Sequence, residues 1–185
     1  MRPENTVWLV PKVPEQFDET TAMAGRLGWT RTDDDDAVYR WKVPASDTFV
    51  SWGDDPDTDV EFFAVEGPDR ERVAAEIADT IDMLEVDDFE SLLARSTDIN
   101  YVMDSLYAVA TAAPQRYDVR VASLIDRYMN SPDPLIRRVA LIAIAITGWP
   151  EFVEPVRRFL SDPDPDVRMV AGSTLLDLDG ERSGT

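Results

Sequence analysis

Apolar and polar residues alternate along this chain in two distinct ways, and the change falls near its middle. Over "AVYRWKV" (37–43), Tyr39, Trp41 and Val43 take one side and Arg40 and Lys42 the other, the period-two pattern of a half-buried strand. "TVWLV" (6–10), "TFVSWG" (48–53) and "DVEFFAV" (59–65) are strand-like in the same sense. "DETTAMAGRLG" (18–28) between the first two strands predicts a short helix closed by Gly28. The order β-α-β-β-β predicts a small antiparallel sheet carrying one helix. "GPDRERVAAEIADTIDML" (67–84) is a helix with Pro68 at its first turn and Val73, Ile77, Ile81 and Leu84 on one face. A shorter helix surrounds Phe89, Leu92 and Leu93.

Beyond residue 97 the period is helical throughout, and the pattern repeats. "SPDPLIRRVALIAI" (131–144) and "DPDPDVRMVAGSTL" (162–175) superpose at an offset of 31 residues. Pro132 then meets Pro163, Asp133 meets Asp164, Pro134 meets Pro165, Arg137 meets Arg168 and Ala140 meets Ala171. The helices ahead of them share the register, pairing Arg127 with Arg158 and Tyr128 with Phe159. In the first of these helices Val121, Leu124, Ile125 and Tyr128 form one stripe; Phe152, Val153, Val156, Phe159 and Leu160 echo it. The second helix is apolar nearly all round over 135–146, as an inner helix should be. Asp-Pro pairs mark the turns, since proline suits a first helical turn and aspartate caps free amides. "DINYVMDSLYAVATA" (98–112) takes the second-helix position one unit earlier, at an offset of about 35, without the proline or the arginine.

The string D-P-x-[VI]-R-x-x-A, present as Asp133–Ala140 and Asp164–Ala171, resembles the HEAT-repeat family. The likeness is in particular to its short variant in phycobilisome-lyase-type proteins. The resemblance implies an α-solenoid and a binding surface, and says little about the partner. The expected fold class is therefore α+β, an N-terminal antiparallel sheet with one helix followed by an all-α HEAT-like solenoid. The expected divisions are a sheet domain at 1–67, connecting or capping helices at 68–97, repeats at 98–179 and a disordered tail at 180–185. A solenoid of two or three units leaves its first apolar face open, and the N-terminal part is placed to cap it.

Composition narrows the chemistry. The chain has 185 residues, no cysteine and no histidine. That removes disulfides, thiol nucleophiles, thiolate metal sites, the commonest general base and the commonest zinc ligand. No Walker-type phosphate loop, nucleophile elbow or dinucleotide-binding glycine motif occurs. No cofactor and no metal site are expected. The apolar run "VALIAIAITGW" (139–149) is too short to span a membrane, and the N-terminus lacks the pattern of a signal peptide. A cytoplasmic protein is expected.

The net charge is −19 and unevenly spread: residues 1–100 hold 25 acidic and 9 basic side chains, residues 101–185 hold 12 and 9. Such acidity suits either a salt-adapted proteome or an acidic face that binds something basic. The candidates for that face are the run Asp33, Asp34, Asp35 and Asp36, and the loop residues Asp54, Asp55, Asp57 and Asp59, beside Trp41 or Trp52. "DPDTDV" (55–60), with Glu66 at the twelfth position, imitates the acidic spacing of a calcium loop. Val60 stands where that loop needs glycine and a strand follows where a helix should, so a hairpin turn is expected. Asp133, Pro134 and Arg137, with Asp164, Pro165 and Arg168, are expected to be structural residues of the repeat. The arginines could also form a basic stripe for nucleic acid, but a −19 background opposes phosphate binding. The function expected from these features is a non-catalytic protein-binding module for a basic protein partner, with an inhibitor or immunity-type protein as its sharper form. The alternatives are an enzyme or enzyme-assisting factor of the lyase-associated type, and a salt-adapted structural protein.

Overall fold

The computed structural model describes residues 5–14, 17–32 and 38–180. The described residues divide into two compact units, one up to Leu84 and the other from Glu85 on.

In the first unit the strands are β1 (Thr6–Leu9), β2 (Thr30–Arg31), β3 (Val38–Lys42), β4 (Phe49–Asp54) and β5 (Glu61–Glu66), and the helices are α1 (Phe17–Arg26) and α2 (Arg70–Ala78). The sheet is antiparallel in the order β1-β5-β4-β3-β2. Its register sets two apolar rows across one face: Tyr39, Trp52, Phe63 and Leu9, then Trp41, Val50, Val65 and Val7. Met23 and Ala24 of α1 and Val73, Ala74 and Ile77 of α2 join these rows in a single buried cluster. The helix α1 ends as expected at Gly28, whose φ of +72° is open to glycine, while the Trp29 amide donates to the Ala24 carbonyl at 2.9 Å.

Two features differ from the sequence expectation. Strand β2 is only two residues long, too short to show a period, and exists through its pairing with Lys42 and Trp41. The helix expected to run to residue 84 stops at Ala78. The segment after it instead pairs with the chain beyond β1, the Leu84 amide donating to the Val10 carbonyl at 2.8 Å and Lys12 to Asp82 at 2.9 Å. Ile81 enters the core as the helical stripe expected, but Met83 is buried with it in place of Leu84, the i, i+2 spacing of an extended segment.

The second unit is helical: α3 (Val86–Leu93), α4 (Ile99–Ala112), α5 (Val119–Met129), α6 (Pro134–Thr147), α7 (Val153–Arg157) and α8 (Pro165–Gly180). Helices α4, α6 and α8 lie side by side as an inner layer, with α3, α5 and α7 packed respectively on them. Leu106, Ile125, Leu141, Ile144, Val156, Val167 and Ala171 are fully buried between the layers. The last outer helix is broken into the 3-10 turn Pro150–Phe152, α7 and the 3-10 turn Arg158–Ser161. Pro155 within it has no amide to donate. The sheet thus occupies the N-terminal unit and the helical repeats the C-terminal one, the α+β arrangement expected.

Candidate functional site

The acidic loop joins β4 to β5. One Asp55 carboxylate oxygen accepts from the Asp57 amide, the Thr58 amide and the Thr58 hydroxyl, each at 3.0 Å. The Asp59 amide donates to the Asp55 carbonyl at 2.8 Å, and Asp59 itself takes the left-handed conformation at φ +53°. Asp55 is therefore the structural pin of a tight hairpin. Asp54, Asp57 and Asp59 are exposed, and none of them makes an ion pair among the described residues. No group of three carboxylates converges as a metal cage among the described residues. Asp33, Asp34, Asp35 and Asp36 lie outside the described residues.

Trp41 and Trp52 are not surface anchors. They are 3 % and 7 % exposed, because the sheet register turns both onto the face that α1 and α2 cover. The Trp52 indole instead donates to Glu61 at 3.0 Å. What reaches the surface beside them is a stack the sequence did not single out. Phe17, 38 % exposed, lies 4.5 Å from Tyr39, which stacks on Trp52 at 5.4 Å. The Arg31 guanidinium sits 4.8 Å from the Tyr39 ring centre. Arg31 reaches Tyr39 through the pairing of β2 with β3, and Phe17 reaches it through the packing of α1 on that face of the sheet.

The repeat residues come together as one structural device. At each turn an oxygen-bearing side chain accepts from the amide two residues on: Ser96 from Asp98, Ser131 from Asp133, and Asp162 from Asp164, at 3.0, 3.2 and 2.9 Å. The second residue of each turn then caps the following helix. Asp98 accepts from the Asn100 and Tyr101 amides, Asp133 from Leu135, and Asp164 from Asp166 and Val167. Pro134 and Pro165 occupy the first position of α6 and α8. This threefold geometry gives the start of α4 the same capping as the starts of α6 and α8.

The arginines close the turns. Arg137 donates to the Ser131 and Pro132 carbonyls at 3.0 and 3.1 Å, and Arg168 donates to the corresponding Asp162 and Pro163 carbonyls at 2.7 and 3.1 Å. Arg137 also forks the Asp162 carboxylate of the next turn at 2.9 and 2.8 Å, with side chains only 12 % and 7 % exposed. Those hydrogen bonds hold the Asp162 carboxyl below the usual carboxylate range, against the upward push of burial. The pair Arg127 and Arg158 shares a register but not a job: Arg127 meets Glu90 at 3.5 Å, and Arg158 bonds the Pro155 carbonyl.

Two hollows lie within the helical unit. An open groove of about 580 Å³ between α3 and α5 is bridged by Arg120–Asp87 at 2.8 Å and Arg127–Glu90 at 3.5 Å, so its charges answer one another. A second open hollow, of about 340 Å³, lies between the Ser96–Asp98 and Ser131–Asp133 turns. Val102, Ile136, Ile99 and Tyr128 form apolar walls, with Ser96, Thr97, Ser131 and Asp133 also lining it. Burial raises the Tyr128 phenol above its ordinary value. The shifted carboxylates of this unit, Asp118 and Asp162, each serve a helix start or an arginine, which is structural duty.

No curated protein and no solved structure gives a significant match to the chain. Among the described residues no helix is long and apolar enough to cross a membrane. Residues 121–184 match the family model of HEAT repeats, so the resemblance carried by the two Asp-Pro turns stands for the C-terminal part of the chain.

Proposed function

We propose that this chain is a non-catalytic protein-binding module whose acidic side takes a basic protein partner. HEAT repeats generally mediate protein interactions, and stacked helical pairs offer the extended surface such contacts need. The observation that carries the basic partner is the location of the charge. Residues 3–84 hold 20 acidic and 7 basic side chains, and the exposed Asp54, Asp57 and Asp59 have no cation of their own among the described residues. A surface of one sign steers an oppositely charged partner and repels nucleic acid. An inhibitor or immunity-type role is the sharper form, in which the acidic side masks a basic toxin or nuclease.

The test is capture of the partner from lysate on the immobilised chain at ~0.1 and ~0.5 M salt, where the screening length falls from about 10 Å toward 3 Å. Retention should drop sharply at the higher salt and in the Asp54→Asn, Asp57→Asn, Asp59→Asn triple variant. A partner held equally at both salts removes the electrostatic element. For the inhibitor form, the captured partner's activity must fall on adding the purified chain.

A further inference from the structure

We propose that the cavity between the Ser96–Asp98 and Ser131–Asp133 turns is a receptor for an arginine side chain of the partner. The protein supplies its own template one groove further on. There Arg137 lies between the 131–133 and 162–164 turns, donating to two adjacent turn carbonyls and forking Asp162. The Asp133 and Asp164 carboxylates flank its charge. Moving back one unit, Val102 stands in the place of Arg137 and Ser131 in the place of Asp162. The rung is missing, and the cavity of about 340 Å³ opens where it would lie.

What remains there is a set of acceptors with no arginine among them, the Asp98 and Asp133 carboxylates being engaged only by helix-start amides. The carbonyls of Ser96 and Thr97 correspond to those that Arg137 and Arg168 cap. Asp98 and Asp133, the two helix caps, correspond to the carboxylates flanking Arg137. At the lower end of ligand-pocket volumes, the space suits a side chain rather than a cofactor. Neighbouring carbonyls favour a planar guanidinium over a point-charge ammonium, and the Tyr128 ring gives it an aromatic wall. This rests on the protein-binding reading above but is tested apart from it.

The probe is an acetylated Gly-Gly-Arg-Gly-Gly peptide, titrated into the 15N-labelled full chain, with citrulline and lysine versions as controls. The arginine peptide should give saturable shifts at the Ser96, Thr97 and Asp133 amides, with the isosteric but neutral citrulline bound at least about tenfold more weakly. Val102→Arg fills the rung from within and should abolish the shifts while the far-ultraviolet spectrum stays helical. Ser131→Asp restores the missing carboxylate and should tighten the arginine peptide by about tenfold, an arm that does not depend on how Val102→Arg folds. No saturable shift at these amides, equal binding of citrulline, or unchanged affinity in Ser131→Asp overturns the proposal. Any of these leaves salt-dependent capture by the acidic side untouched.

Discussion

Replacing Arg137 with alanine removes four hydrogen bonds at once, two to the Asp162 carboxylate and two to the Ser131 and Pro132 carbonyls. It also strands a carboxylate whose side chain is 7 % exposed. Breaking one side of such a pair costs about 3–5 kcal/mol, far more than the pair contributes over a hydrophobic substitute. The lower end applies here, because Asp162 keeps the Asp164 amide at 2.9 Å. A loss of ~3 kcal/mol corresponds to about 12–24 °C in the melting temperature of a unit this size. Arg138, the next residue, pairs with Asp166 at 2.9 Å but with side chains 34 % and 58 % exposed. Arg138→Ala should therefore cost below about 1 kcal/mol. Urea unfolding followed by far-ultraviolet circular dichroism measures both. The double variant Arg137→Ala, Asp162→Ala should be less destabilised than the sum of the singles by at least about 1.5 kcal/mol. Equal costs for Arg137 and Arg138, or strict additivity in the cycle, would refute the idea that this one rung joins the last two repeats.

Three further outcomes follow from the fold. Asp162 has its pKa held below 3.8 in the folded chain, so its contribution is present above that value and is lost as pH falls through the lower, folded one. Melting curves in acid should show a shallower decline for Asp162→Asn than for the wild type. Gly67 has φ +122°, and an added Cβ would lie 2.6 Å from the Asp47 carbonyl oxygen and 2.7 Å from the Thr48 Cα. Gly67→Ala should destabilise the sheet unit by at least about 2 kcal/mol, read from tryptophan fluorescence on denaturation. Gly172 on α8 is the reverse case, with nothing within 4 Å of an added Cβ. Gly172→Ala should stabilise the helical unit by about 0.5–1 kcal/mol, and a loss instead would mean that α8 is covered in solution.

The helical repeats were legible because their turns are chemically specific. Only an aspartate-proline pair followed by arginine three residues later satisfies the cap, the first helical turn and the turn carbonyls together, so the string marks its own geometry. The strands were legible from alternation, and the same alternation placed Tyr39, Trp41 and Val43 on one face. Which face was covered was not legible, and Trp41 and Trp52 turned out to be core because α1 and α2 pack on their side. The end of α2 was hidden because Ile81 and Leu84 continue the helical stripe in the sequence, whereas the extended segment buries Ile81 and Met83. The inter-turn cavity could have been found by carrying the offset of 35 through to Val102, where an apolar residue replaces the arginine of the later units. The Phe17–Tyr39–Arg31 stack offered no such signal, since Arg31 arrives by strand pairing and Phe17 by the packing of α1 on the sheet.

Asp162 belongs to two repeats at once: its carboxylate receives Arg137 from the unit behind, while its carbonyl receives Arg168 from the unit it begins. The joint is therefore self-renewing. A tandem copy of the last 31-residue period, spliced in after the first, would present its own Asp162 to the Arg168 of the original, reproducing the existing seam without designing a new one. Lengthening this array by whole periods is a problem the present sequence has already solved, and each added period should raise the cooperativity of the whole rather than append a loose end.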